Sequence, residues 1–60
     1  MPDLFDRSPV TRHDKMRCLQ RELDMRRRVY PRWVKTGKML QVSADREIAT
    51  MEAILADYEE

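Results

Sequence analysis

The segment Arg28-Val29-Tyr30-Pro31-Arg32-Trp33-Val34-Lys35-Thr36-Gly37 decides how this chain folds. Proline normally interrupts a helix, because it lacks an N–H donor and its ring clashes with the carbonyl four residues back. The apolar residues on both sides of Pro31 nevertheless share one helical face, and Pro31 itself falls on the polar side. Gly37 then supplies the residue best suited to the left-handed conformation that ends helices. We predict one long helix, kinked at Pro31, in preference to two separate helices.

The start of this first helix has two candidates. Ser8 followed by Pro9 fits an N-cap and a first helical position, where the missing N–H of proline costs nothing. Thr11 with Asp14 is a competing start a few residues later. The segment before Pro9 shows no sustained hydrophobic period. We therefore predict a flexible arm over residues 1–8 and a helical hairpin domain over 9–60.

A second helix is predicted to begin between Leu40 and Ser43 and to end near Tyr58. Its apolar residues have the 4, 3, 4, 3 spacing of a heptad seam, namely Ala44, Ile48, Met51, Leu55 and Tyr58. A turn near Lys38 pairs apolar residues throughout, namely Val34 with Ala44, Tyr30 with Ile48, Leu23 with Leu55, and Leu19 with Tyr58. The predicted fold class is therefore all-α, an antiparallel two-helix hairpin.

The composition is typical of a small soluble helical protein. The chain has 60 residues, of which 38% are charged and 42% are hydrophobic, with a single glycine. These proportions are too apolar for simple disorder and too charged for a membrane protein. No long apolar run is present, so we expect no membrane span and no secretory signal. The lone Cys18 builds no disulfide framework and favours a reducing cytoplasm.

The apolar surface of the first helix is wider than one short partner helix covers. Cys18, Met25 and Val29 extend it to roughly half of the helix circumference. A small chain with surplus apolar surface is commonly stabilised by self-association, so we predict a homo-oligomer in which two hairpins form a four-helix bundle. The predicted interface residues are Cys18, Leu19, Glu22, Leu23, Met25, Arg26, Val29, Tyr30, Trp33, Val34, Ile48, Met51 and Leu55.

Glu22 and Arg26 are spaced as an i, i+4 pair inside this apolar face. We interpret them as an interface ion pair, joined by Glu47 or Glu52 from the acidic second helix. A catalytic role for Glu22 is disfavoured, because no second carboxylate, histidine or nucleophile is placed to work with it.

The sequence also argues against metal and cofactor chemistry. His13 and Cys18 are the only soft ligand candidates, and they lie about 140° apart on a helix, whereas structural zinc normally needs four ligands. One glycine cannot build a phosphate-cradling loop. We therefore predict no enzyme activity, no metal and no cofactor.

Charge is distributed unevenly along the chain. Residues 7–38 carry a net charge of +8, whereas residues 39–60 carry −5. Cations opposite the apolar face form a candidate nucleic-acid surface. They are Arg17, Arg21, Arg28, Arg32 and Lys35. The other interpretation is a solvated helix surface, and the aromatic interleaving of single-strand binders is absent because Tyr30 and Trp33 are predicted to point inward.

Several strings resemble a set of very small phage and prophage proteins of proteobacteria. They are Met25-Arg26, Val29-Tyr30-Pro31-Arg32-Trp33-Val34, Gly37-Lys38-Met39 and Glu47-Ile48-Ala49-Thr50-Met51-Glu52. The resemblance covers about half of the chain and implies a short helical protein of phage origin, with no activity to transfer to particular residues. Leu40 departs from the pattern, which tends to have a threonine-like cap there. We predict a non-catalytic interaction module with an unidentified protein partner, and nucleic-acid binding as the alternative.

Overall fold

The structure is a computed structural model that describes residues 9–59, and it is an antiparallel hairpin of two helices. Helix α1 spans Arg12–Lys35 and helix α2 spans Gln41–Glu59, with a short turn between them. Residues 9–59 contain no strand. The predicted all-α hairpin is confirmed, whereas the predicted arm over residues 1–8 lies outside the described residues.

A capping box at Thr11 opens α1. The Asp14 N–H donates to the Thr11 hydroxyl, and the Thr11 N–H donates to the Asp14 carboxylate, each over 3.0 Å. The alternative start at Ser8 and Pro9 is wrong, because Pro9 and Val10 precede the helix. The two reciprocal bonds satisfy backbone donors that a helix start otherwise leaves without a partner. The same bonds lower the pKa of Asp14 below its ordinary value of 3.8.

Helix α1 runs through Pro31 without interruption and ends in a Schellman motif. Gly37 adopts the left-handed conformation, with φ at 80°. Its N–H donates to the Val34 carbonyl over 3.1 Å, and the Lys38 N–H donates to the Trp33 carbonyl over 2.9 Å. Both bonds satisfy carbonyls at the helix end, and they turn the chain back toward α2. The predicted continuity across the proline is confirmed.

Two residues of each helix are buried at the seam between the helices. Leu23 and Tyr30 of α1 and Ala44 and Leu55 of α2 are the buried hydrophobic residues of the described chain. All of them belong to the predicted seam. Full burial of a side chain such as Leu23 stabilises a fold by about 1.5–3 kcal/mol. A seam with four buried residues therefore contributes limited stability.

The predicted inward position of Trp33 is wrong. Its side chain is 40% exposed, and its ring packs beside that of Tyr30, with centroids 5.7 Å apart. Trp33 lies about 60° around α1 from Tyr30, at the edge of the apolar face. A single partner helix covers the centre of that face and leaves the edge open.

Helix α1 is polar along much of its surface, and α2 carries six charged residues. Over the described residues, neither helix combines the length and the apolar character that crossing a bilayer requires.

Candidate functional site

One long side of the hairpin is apolar and only partly covered. We call it the apolar side and define it by Cys18, Met25, Val29 and Trp33 of α1 and Ile54 of α2. The α1 members lie between about 180° and 260° around the helix from Met16, which is next to the buried seam. In an antiparallel pair, the corresponding flank of α2 carries Ile54. The two helices therefore both contribute apolar residues to this flank of the hairpin.

An open groove of about 350 Å³ joins the two helices at one end of this side. Its lining includes Cys18 and Leu19 from α1 and Ile54 and Tyr58 from α2. The Lys15 ammonium lies 5.8 Å from the centroid of the Tyr58 ring, within the range of a cation–π contact. The groove is thus mostly apolar and includes one charge of each sign, Asp14 and Lys15.

The members of the apolar side are unevenly exposed. Trp33 is 40% exposed and Ile54 is 39% exposed, whereas Met25 and Val29 are half-buried. The thiol of Cys18 is free and exposed. An exposed apolar patch that spans two elements is typical of a surface that binds a partner.

Glu22 and Arg26 lie among these apolar residues. The Arg26 guanidinium is 3.8 Å from the Glu22 carboxylate and also donates to the Glu22 carbonyl over 3.1 Å. The prediction that Glu52 joins this pair is wrong, because Glu52 pairs with Arg27 instead, over 2.6 Å. Arg26 and Arg27 lie about 100° apart on α1, so they face opposite sides of the seam. Glu47, the other proposed member, is exposed.

The opposite long side of the seam is closed by charge, and we call it the charged side. Arg27 reaches across to Glu52 on α2 and also approaches Asp24, at 3.8 Å. The Gln20 amide donates to the Asp24 carboxylate over 3.1 Å. This network satisfies its own members within one chain, so it needs no partner.

Five cations form a separate surface, which we call the basic stripe. All are exposed on α1, on the side away from α2. They are Arg17, Arg21, Arg28, Arg32 and Lys35. Within the part of the chain that the structure describes, none of their side chains makes an ion pair or a hydrogen bond. Arg17, Arg21 and Arg28 line one open groove along the helix surface, together with the acidic side chains of Glu22 and Asp24.

The predicted interface residues fall into three classes. Those buried within one chain are Leu23, Tyr30 and Leu55, so they hold the hairpin together and are closed to a partner. The half-buried ones are Leu19, Glu22, Met25, Arg26, Val29, Val34, Ile48 and Met51. The exposed ones are Cys18 and Trp33. Sequence reasoning left Ile54 out of the interface, although its position beside the heptad seam was the available signal.

The two soft ligand candidates are not brought together. His13 lines a cavity with Met16 and Leu55, whereas Cys18 lines the groove on the apolar side. Among residues 9–59, no group of three or more His, Cys, Asp and Glu side chains is placed to hold a metal ion.

Comparison with protein-family models, with curated proteins and with solved structures found no match to this chain. The geometry of the apolar side and of the basic stripe therefore carries the functional argument.

Proposed function

We propose that this protein is a non-catalytic interaction module that self-associates through its apolar side. Two observations carry the proposal: Trp33 and Ile54 are exposed on the same flank of the seam, and Ile54 shares a groove with Cys18 and Leu19 of α1. A hairpin whose buried residues are Leu23, Tyr30, Ala44 and Leu55 gains much from covering that surface. A second copy offers the same apolar side, which makes the contact self-complementary.

The dimensions of the hairpin suit such a contact. The 19 residues of α2 rise about 28 Å, and two helices side by side are about 20 Å wide. Their product, roughly 560 Å² in projection, is of the order of the 800 Å² or so that each partner buries in a stable interface. Two hairpins stacked on this side form a four-helix bundle.

Charge favours one arrangement of the two copies. Helix α1 carries nine basic and three acidic residues, a net of +6, whereas α2 carries one basic and five acidic residues, a net of −4. Stacking α1 on the α2 of a second copy brings opposite charges together, whereas stacking α1 on α1 brings like charges together. The two-fold axis then runs along the bundle, and both turns lie at the same end.

The biological setting in this proposal comes from the resemblance alone. It is that of a small cytoplasmic accessory protein of phage or prophage origin, which acts on a protein partner through the assembled bundle.

Two matched variants test self-association. Ile54→Glu places a charge on the apolar side, whereas Val42→Glu places the same charge elsewhere on α2. Val42 is 70% exposed and lies about 160° around α2 from the buried Ala44. We expect an untagged copy to co-purify with a tagged copy in the wild type and in Val42→Glu, and to be lost in Ile54→Glu. Equal co-purification of all three proteins, with helicity verified by circular dichroism, would contradict the proposal.

A further inference from the structure

The arginines of α1 divide into two groups by their contacts. Arg12 donates to the Tyr58 carbonyl, Arg26 pairs with Glu22, and Arg27 pairs with Glu52. The basic stripe has no such contacts in the described chain, and all five of its side chains are exposed. The hairpin thus uses one group for its own packing and leaves the other group free to meet an anion.

The stripe is long and continuous. Arg17 and Lys35 lie 18 positions apart in the sequence, which is about 27 Å along a helix. Duplex DNA rises 3.4 Å per base pair, so this length matches about eight base pairs. Three acidic residues lie beside the stripe, and each has a partner outside it. Asp14 accepts from the Thr11 N–H, Glu22 pairs with Arg26, and Asp24 is engaged by Arg27 and Gln20. The five cations of the stripe outnumber these acids, and no ion pair of the described chain joins a stripe cation to one of them.

The position of the stripe separates it from the rest of the molecule. Its members lie at about 100° to 160° around α1 from Met16, opposite the buried Leu23 and Tyr30. The acidic helix α2 is therefore behind α1 when the stripe faces a ligand. A second copy on the apolar side leaves the stripe uncovered.

The geometry points to a binding site for the phosphate backbone of double-stranded DNA along this stripe. A single strand is disfavoured, because single-strand sites stack bases on aromatic rings. Tyr30 is buried and Trp33 lies on the apolar side, so the stripe contains no ring. Phosphate contacts carry no sequence information, and the predicted binding is non-specific. This inference goes beyond self-association and does not rest on it.

Salt dependence gives the inference a quantitative form. Each neutralised phosphate contributes about 0.9 to the slope of log affinity against log salt concentration, so five contacts give a slope of about −4.5. Affinity then falls by roughly 500-fold between about 50 and 200 mM salt.

Two variants with the same net charge separate a localised site from general attraction. Arg28→Gln with Arg32→Gln removes two cations from the stripe, whereas Lys38→Gln with Arg46→Gln removes two from the turn and from α2. Fluorescence anisotropy of a labelled 20-base-pair duplex measures affinity across the salt range, with a single strand of equal length in parallel. We expect the stripe variant to reduce the slope magnitude by about 1.8, and the control to keep the wild-type slope.

Three results would overturn the inference. One is the absence of saturable duplex binding at about 50 mM salt, where surface charges are weakly screened. Another is an equal loss of affinity in the two double variants, which would show attraction by net charge alone. The third is a preference of tenfold or more for the single strand, which would assign binding to bases. Circular dichroism of both variants shows that the helices are retained.

Discussion

The two long sides of the seam differ in how they are closed. On the charged side, Arg27 joins Glu52 over 2.6 Å and ties α1 to α2 within one chain. On the apolar side, Trp33 and Ile54 stay about two-fifths exposed, and no cross-helix ion pair among residues 9–59 covers them. An ion pair between the helices therefore covers one side of the seam, whereas apolar side chains remain exposed on the other.

The cause of this asymmetry lies in α1. Its apolar face reaches about 180° around the helix, from Met25 to Met16, whereas one neighbouring helix covers only the middle of such a face. The charged side begins directly beyond the seam, at Arg27. The apolar side continues past the seam for two more rows of residues.

The largest expected effect comes from Arg26, on the apolar side. Its side chain is a quarter exposed in one chain, and a second copy would enclose it together with Glu22. Arg26→Ala then leaves the Glu22 carboxylate buried without a partner, which costs about 3–5 kcal/mol in the free energy of unfolding of the assembled protein. Arg26→Met keeps an apolar side chain of similar length and is expected to cost much less.

Chemical denaturation of both Arg26 variants, at a protein concentration where the wild type is assembled, measures the difference. Equal and small losses would show that Arg26 stays in water and that nothing encloses the apolar side there.

The charged side gives a smaller effect. Arg27 and Glu52 are each nearly half exposed, and exposed ion pairs contribute about 0.2–1 kcal/mol. A double-mutant cycle with Arg27→Ala and Glu52→Ala should give a coupling energy in that range, and it should shrink as salt is added. A coupling energy well above 1 kcal/mol would show that this pair is shielded from water. The charged side would then contribute as much stability as is expected only of an enclosed pair on the apolar side.

Asp14, which lines the groove on the apolar side, gives the smallest effect. Its pKa is lowered by its bonds with Thr11, so it stabilises the folded state above pH 3.8. That stabilisation is lost as pH falls through the lower pKa of the folded state. The difference in unfolding free energy between the wild type and Asp14→Asn should therefore shrink on acidification below pH 4. A difference that is constant from pH 6 to pH 2 would contradict the capping role of the carboxylate.

Periodicity accounted for the seam and for the turn. The spacing of Ala44, Ile48 and Leu55 identified the buried face of α2, and Gly37 marked the end of α1, because both signals are local in the sequence. It was harder to predict from the sequence on which side of the seam each charged residue lies. Whether Glu52 meets Arg26 or Arg27 depends on a rotation of about 100°, and a charge pattern alone does not determine which side of the seam an acid occupies.

Trp33 illustrates the same point from the apolar side. Its position in the predicted apolar face was correct, but its exposure depends on how much of that face α2 covers. The start at Thr11 was ambiguous for a different reason. Two capping signals lay close together, and only the second supplied the reciprocal pair with Asp14.

The central claim is that a second copy covers the apolar side, and the mass of the wild-type protein in solution tests it most directly. Sedimentation equilibrium should give a mass of at least twice the 7.3 kDa of one chain at the upper end of a range of micromolar concentrations. The mass should fall on dilution as copies dissociate. A constant mass of 7.3 kDa over that range, together with cooperative thermal unfolding, would show that one hairpin is complete by itself and would contradict the account.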